Sequence, residues 1–182
     1  RTKADYVSKC LDINYTEEID GNIITEVKIT LTRICNDDNS LLNFILCYFG
    51  YCLTGERSSQ CFLMAIGNSE SKSMLANIFM KALPIYSRQL HRKTFNEDYP
   101  KYDKQLAMTT VPIRFVFVDD VDLNKLDCST LKDFVDGDPV VYDDVNINIQ
   151  CKLYCTSDTD PKFGTDESMK RRCILTKFTN KF

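Results

Sequence analysis

Apolar residues in this chain fall in short runs separated by polar, turn-forming segments. The first strong run, Ile23 to Cys35, fits two periods. Ile23, Val27, Ile29, Leu31 and Cys35 alternate with polar residues as in a strand, whereas Ile24, Val27, Leu31 and Ile34 follow helical spacing, so the pattern leaves both open. Asn36 to Ser40 reads as a loop rich in N-cap residues, and a helix is predicted over Leu41–Phe49 with Gly55 as a stop. Cys61–Ala65 is a continuous apolar run of strand length. A helix follows from Met74 to Lys81 and ends near Pro84. Ile113 to Val118 is a second buried-type strand. A helix with Ser129 as N-cap and Gly137 as stop comes next, then a hairpin from Pro139–Tyr142 and Val145–Ile149 around Asp143-Asp144. The strand Cys151–Cys155, a turn at Pro161, a short helix over Asp166–Arg171 and a last strand from Arg172 to Phe178 complete the pattern. Internal repeats and low-complexity segments are absent from it.

At 182 residues and 43% hydrophobic content, one domain with a sizeable core is expected. A net charge of −3 supplies no general basic field for nucleic acid, so any such contact must come from a local patch or an assembled ring. Nine cysteines without a C-x-x-C pair, beside the single His91, do not have zinc-ligand spacing. They read as buried, reduced thiols of an intracellular protein. No apolar run approaches the ~20 residues that span a bilayer, so no membrane partner is expected. A first residue other than Met and the abrupt Lys181-Phe182 end read as cuts in a longer polypeptide, with removal of an initiator Met by processing as the alternative at the start.

Two stretches carry candidate chemistry. Ile66-Gly67-Asn68-Ser69-Glu70-Ser71-Lys72-Ser73 lies between a strand and a helix, the layout of a phosphate-binding loop. There backbone N–H groups and the helix N-terminus cradle phosphate, a lysine reaches the β/γ-phosphates and a hydroxyl ligates Mg²⁺. Ile66 and Ser71 occupy the two glycine positions of G-x-x-x-x-G-K-[ST], and a surface loop before a core helix is the alternative. Asp119-Asp120 ends the 113–118 strand, where parallel sheets place ligands and carboxylates hold Mg²⁺. The alternative there is a strand running into an acidic turn. Residues 87–105 interleave Arg88, His91, Arg92, Lys93, Lys101 and Lys104 with Phe95, Tyr99 and Tyr102, reading as a solvated connection or a nucleic-acid patch.

Several stretches, in order, resemble the superfamily III viral helicases, within them the poxvirus-type primase–helicases and phage/plasmid primases. Ala4–Lys9 to Asn14-Tyr15 resembles the start of their helicase part. Gly50-Tyr51-Cys52-Leu53-Thr54-Gly55 resembles their Gly-Tyr-x-Leu-Thr-Gly lead-in, and Glu56–Gln60 their short polar linker. Asp119-Asp120 falls at the acidic pair, and Leu131–Asp138 resembles the Leu-Lys…Gly-Asp motif after it. Thr156-Ser157-Asp158…Pro161-Lys162 matches the sensor strand, and Gly164 to Arg171-Arg172 with Phe178…Phe182 resembles the closing signature. The resemblance favours helix over 23–35. It implies an AAA+-like P-loop ATPase core, a parallel sheet between helices with a small hairpin. Residues 1–55 would be a helical lead-in and 56–182 the ATPase core, beside a primase module in the same polypeptide. It further implies ATP and Mg²⁺ as cofactors, a homo-hexameric ring with sites between subunits, single-stranded DNA in the channel, and genome replication in a virus-infected host cell.

By the same resemblance Gly67, Asn68, Ser69, Glu70, Ser71, Lys72 and Ser73 would hold the nucleotide, and Ser73, Asp119 and Asp120 the metal. Asp158 would stand at the γ-phosphate sensor. Arg172 or Arg171 would be an arginine finger for the neighbouring subunit, an arrangement worth ~10³–10⁵ in rate; a solvated helix end is the alternative. The chain departs from the pattern at Ser71, Glu70 and Asp158, and its hairpin carries Asp143-Asp144 without Lys or Arg. Three functions follow: an ATP-dependent DNA helicase motor, a divergent subunit that hydrolyses weakly or not at all and serves assembly or scaffolding of a DNA complex, or an unrelated α/β domain.

Overall fold

The computed structural model describes residues 10–14, 16, 18–67, 70–99, 113–142 and 144–179. Helices α1 (Gly21–Ile34) and α2 (Asn39–Thr54) lead into strand β1 (Phe62–Ile66) and helix α3 (Ser71–Ala82). Strands β2 (Ser87–Leu90) and β3 (Phe115–Val118) precede helix α4 (Cys128–Asp136). The hairpin β4 (Val140–Tyr142) and β5 (Val145–Ile147) comes next, then strand β6 (Lys152–Ser157), helix α5 (Glu167–Arg172) and strand β7 (Cys173–Lys177). Five strands form one parallel sheet in the order β2-β3-β6-β1-β7, and β4 and β5 pair antiparallel beside it. This is the α/β fold, a parallel sheet between helices with a small hairpin, that the sequence resemblance implied.

The ambiguous 23–35 segment is helical. Asp20 caps its start, accepting from the Asn22 N–H at 2.8 Å. Only Ile34 of α1 is buried, and Ile23, Ile24 and Val27 stay about half exposed. Helix α2 starts on Asp38, whose carboxylate accepts from two backbone N–H groups, and stops at Gly55 in the left-handed region. Several boundaries and one strand differ from expectation. Asp127 rather than Ser129 caps α4, because its carboxylate takes the Ser129 and Thr130 N–H groups. Arg172 closes α5 instead of opening the last strand. Residues 87–90, read as part of a connection, form the edge strand β2 against β3. An edge strand has one partner, and Ser87-Arg88-Gln89-Leu90 buries only its ends, so its polar middle concealed it.

The central strands are buried on both faces, as parallel sheets require. Phe62, Met64, Ile66, Val116, Val118, Leu153 and Cys155 face Leu131, Phe134 and Met169 of α4 and α5. Leu63, Ala65, Phe115, Phe117 and Tyr154 face Ile45, Phe49, Leu75 and Ala76 of α2 and α3. The lead-in helix α2 therefore shares a core with the sheet. Burying each such large side chain contributes about 1.5–3 kcal/mol. Two core tyrosines also bind across layers: Tyr48 Oη donates to the Leu153 carbonyl at 2.7 Å, and Tyr154 Oη to the Lys72 carbonyl at 3.0 Å. The nine cysteines are free thiols. Burial pushes Cys35 up to about 11 and Cys173 to about 12, which leaves them unreactive. Among the described residues no helix is long and apolar enough to cross a membrane.

Candidate functional site

The strand order places β1 between β6 and β7, with β3 on the far side of β6. The carboxyl ends of β1, β3 and β6 therefore converge, which is where open parallel sheets bind ligands. A cavity of about 300 Å³ lies there, bordered by Glu70, Lys72, Ser73, Asp119, Asp120, Thr156 and Asp158. The sheet thus gathers Lys72, Ser73, Asp119, Asp120 and Asp158 from three separate stretches of sequence. Asn68 and Ser69 lie outside the described residues, as do Ala4–Lys9, Tyr15, Lys101, Tyr102, Lys104, Asp143 and Phe182.

The loop after β1 takes its shape from Gly67 rather than from the two expected glycine positions. Gly67 has φ +124°, a region essentially confined to glycine, and a Cβ there would sit 2.1 Å from the Phe178 carbonyl oxygen. Its N–H donates to the Ser157 carbonyl at 3.2 Å, and Phe178 N–H donates to the Ile66 carbonyl at 2.8 Å. Ile66 is the last residue of β1, an ordinary extended position. Ser71 is the first residue of α3, where any residue is accommodated. Replacing glycine at 66 and 71 therefore costs no backbone strain. The helix begins at Ser71, three residues before the expected Met74, so Lys72 and Ser73 project from its first turn. Glu70 sits at the N-cap without a side-chain capping bond and is exposed.

Lys72 is 4% exposed. Its ammonium donates to the Gly67 carbonyl, to the Ser157 carbonyl at 2.8 Å and to Asp158 Oδ1 at 2.9 Å. All three of its protons are thereby engaged. The Asp158 carboxylate is thus the side-chain partner of Lys72. Ser73 Oγ donates to Asp119 Oδ1 at 2.6 Å, and Thr156 Oγ1 donates to the same oxygen at 2.6 Å. Asp120 has φ +51°, its N–H donates to Thr156 Oγ1 at 2.8 Å, and its Oδ2 pairs with Arg92 at 3.1 Å. Neither Thr156 nor Arg92 was assigned a role from sequence. Thr156 lay inside the matched sensor stretch, and Arg92 in the basic segment that follows β2.

The donor set fits Mg²⁺. A serine hydroxyl and aspartate carboxylates are hard oxygens, and Mg²⁺ takes few protein ligands while keeping water. The Ser73 proton points to Asp119, leaving the hydroxyl lone pairs for a cation. A second cavity of about 580 Å³ adjoins the first through Glu70, Ser73 and Asp119 and runs along α3 past Met74, Asn77 and Ile78.

The two arginines expected at the finger position separate. Arg172 is 6% exposed and forks onto Asp136, Nε to Oδ1 at 2.7 Å and Nη2 to Oδ2 at 2.5 Å. Its Nη1 meets the Ser168 hydroxyl and carbonyl. That hydrogen-bonded pair lowers the Asp136 carboxyl below its ordinary value and raises Arg172. Arg172 is therefore an internal tie between α5 and α4. Arg171 is exposed at the end of α5.

No family model and no curated protein sequence matches the chain. Among solved structures it is similar to the apo A form of the NrS-1 C-terminal region (residues 305–718), with 16% identity, a TM-score of 0.58 and 85% of this chain covered. A second apo A-form structure of the NrS-1 C-terminal region gives 14% identity, a TM-score of 0.60 and 84% coverage. The chain spans 37% of either neighbour. Likeness at these identities establishes the fold: a parallel-sheet α/β domain, with the candidate site at the carboxyl ends of its central strands.

Proposed function

We propose that this chain is the ATP-dependent motor domain of a replicative DNA helicase of the superfamily III type, which hydrolyses ATP·Mg²⁺ between the subunits of a homo-hexameric ring. The observation that carries the reading is the convergence of Lys72, Ser73 and Asp119, with Ser73 bonded to Asp119 at 2.6 Å. A lysine and a hydroxyl on the first turn of a helix after a strand, with the hydroxyl bonded to a carboxylate at the end of β3, suit a nucleoside triphosphate and its cation. Fold likeness to the NrS-1 C-terminal region supports a replication-helicase-like domain. The sequence resemblance supports the viral setting, the primase module in the same polypeptide and the passage of single-stranded DNA through the ring.

In this reading Lys72 exchanges Asp158 for the β/γ-phosphates. The N-terminus of α3 supplies backbone donors to the phosphate tail, and Gly67, whose N–H is given to the Ser157 carbonyl, shapes the loop that leads to it. Ser73 and Asp119 hold Mg²⁺, which when bound neutralises developing phosphate charge. Asp120, drawn aside by Arg92, completes the acidic end of β3 and orients the attacking water. Arg171, exposed at the end of α5, is the finger for the neighbouring site in place of Arg172.

One observation favours the second reading, a weakly hydrolysing subunit that serves assembly. The Lys72 ammonium is already satisfied by Gly67, Ser157 and Asp158. Steady-state ATP hydrolysis with single-stranded DNA separates the two, using wild type, Lys72→Ala and Arg171→Ala. The motor reading expects activity in wild type and loss of at least 100-fold in both variants. Equal rates in all three refute it, and tight nucleotide binding without turnover supports the assembly reading.

A further inference from the structure

Thr156 touches both members of the acidic pair, yet nothing above gives it work to do. The residue is 1% exposed and ends in the cavity wall beside Asp119 and Asp120. We infer that Thr156 is the positioning residue for the acidic pair, fixing the direction in which Asp119 presents its second oxygen and holding the Asp120 backbone in its turn. This inference rests on the nucleotide-site reading.

A hydroxyl has one proton and two lone pairs. A carboxylate only accepts, so the Thr156 proton goes to Asp119 Oδ1 at 2.6 Å. A backbone N–H only donates, so the Asp120 N–H, 2.8 Å away, occupies a Thr156 lone pair. Both assignments are forced, and they orient the hydroxyl completely. Ser73 adds its proton to the same Oδ1 from α3. The terminal torsion of an aspartate is otherwise soft and roughly two-fold. Two short, charge-assisted bonds arriving at one oxygen from α3 and from β6 remove that freedom. Oδ2 then accepts no hydrogen bond from a described residue and is the oxygen left for a cation.

Thr156 also secures the backbone beyond Asp119. Asp120 at φ +51° occupies the left-handed region, uncommon for a residue with a side chain. The Asp120 N–H bonds the Thr156 hydroxyl, and the Val121 N–H bonds the Thr156 carbonyl at 2.9 Å. One residue thereby clamps the turn from both sides. The next two residues, Ser157 and Asp158, hold Lys72. The last three residues of this stretch thus tie the phosphate side of the site to its metal side, and Thr156 is the link on the metal side.

The test uses the full chain with a fluorescent ADP derivative, titrated in Mg²⁺ and in EDTA, alongside steady-state hydrolysis. Thr156→Val keeps the shape and β-branching of the side chain and removes the hydroxyl. Thr156→Ser restores the hydroxyl. Thr156→Ala, which introduces no bulk, runs in parallel and carries the same expectation as Thr156→Val. The Mg²⁺-dependent gain in ADP affinity should fall 10–100-fold in Thr156→Val and Thr156→Ala, the range for groups that orient metal ligands. Affinity in EDTA should be unchanged, Thr156→Ser should stay within about twofold of wild type on the same scale, and kcat should fall more than KM rises. A wild-type Mg²⁺ gain in a hydroxyl-free variant overturns the inference, as does a folded Thr156→Ser as impaired as Thr156→Val. Wild type gaining nothing from Mg²⁺ overturns the inference and the nucleotide-site reading together; equal gains in wild type and Thr156→Val remove only the role of Thr156.

Discussion

Replacing Asp158 with Asn should tighten nucleotide binding, although it alters a residue in the site. The carboxylate lies 2.9 Å from Lys72 Nζ, with the lysine side chain 5% exposed and the aspartate 69% exposed. Coulomb attraction between unit charges at that separation is about 1.4 kcal/mol in a water-like medium and about 6 at an effective dielectric of 20. Because Asp158 is mostly in solvent, the lower end applies, and exposed pairs measure about 0.2–1 kcal/mol. Nucleotide binding must give up that attraction and also meet a like charge beside the phosphate. The neutral amide of Asp158→Asn would remove both costs while keeping an oxygen for Lys72. The expected gain is about 1–2 kcal/mol, or roughly 5–30-fold in ATP affinity. Fluorescence titration at low ionic strength measures it. The gain should be larger for the triphosphate than for the diphosphate, and should shrink in high salt as screening weakens both terms. Unchanged or weaker ATP binding by folded Asp158→Asn would refute the argument, because it would mean that Lys72 does not exchange Asp158 for phosphate.

Gly67→Ala should destabilise the domain by about 3 kcal/mol or more, since it combines a glycine-only φ with a Cβ 2.1 Å from a backbone oxygen; a denaturant midpoint at the wild-type value would count against the described loop. Removing Arg172 should act on folding rather than chemistry: Arg172→Ala strands a largely buried Asp136 and should cost about 2–4 kcal/mol, while Arg171→Ala leaves the melting temperature unchanged. Asp136 has its carboxyl held below the ordinary 3.8, first by the Arg172 hydrogen bond and against the effect of burial. A depressed carboxyl binds its proton more weakly folded than unfolded. Its stabilisation is therefore complete above about pH 4 and drains away as pH falls through the folded value. Melting temperature against pH should drop on that acid side, and Asp136→Asn should flatten the drop.

Elements whose local chemistry agrees with their burial were legible in the sequence. Phe115–Val118, apolar at every position, could only be a strand buried on both faces. Gly55 and Gly137 marked helix ends because a left-handed stop favours glycine. Strand β2 was hidden because half its residues are exposed on a sheet edge. The positions of Lys72, Ser73 and Asp119 were readable from the strand–loop–helix layout and the acidic strand end. Their partners were not. Thr156 donates to Asp119, Arg92 pairs with Asp120 and Asp158 accepts from Lys72, and sequence spacing carries no information about which side chains meet across a sheet. Ser71 looked like damage because a motif records residue types, while the backbone requirement had moved to Gly67. Arg171 and Arg172, adjacent and identical in type, were separated only by the helix turning one inward to Asp136 and the other outward.

Strand β1 also constrains how this domain comes into being. Its two neighbours in the sheet, β6 and β7, are made after every other strand of that sheet. During synthesis from the N-terminus, β1 emerges with α2 behind it and no strand to pair with. Its apolar residues, Phe62 to Ile66, must wait in an incomplete core until residues up to Lys177 have left the ribosome. Such long-range pairing slows folding and exposes apolar surface along the way. Gly67 closes against Phe178 only at the end of that wait, so the loop side of the candidate site assembles after β7 has been made.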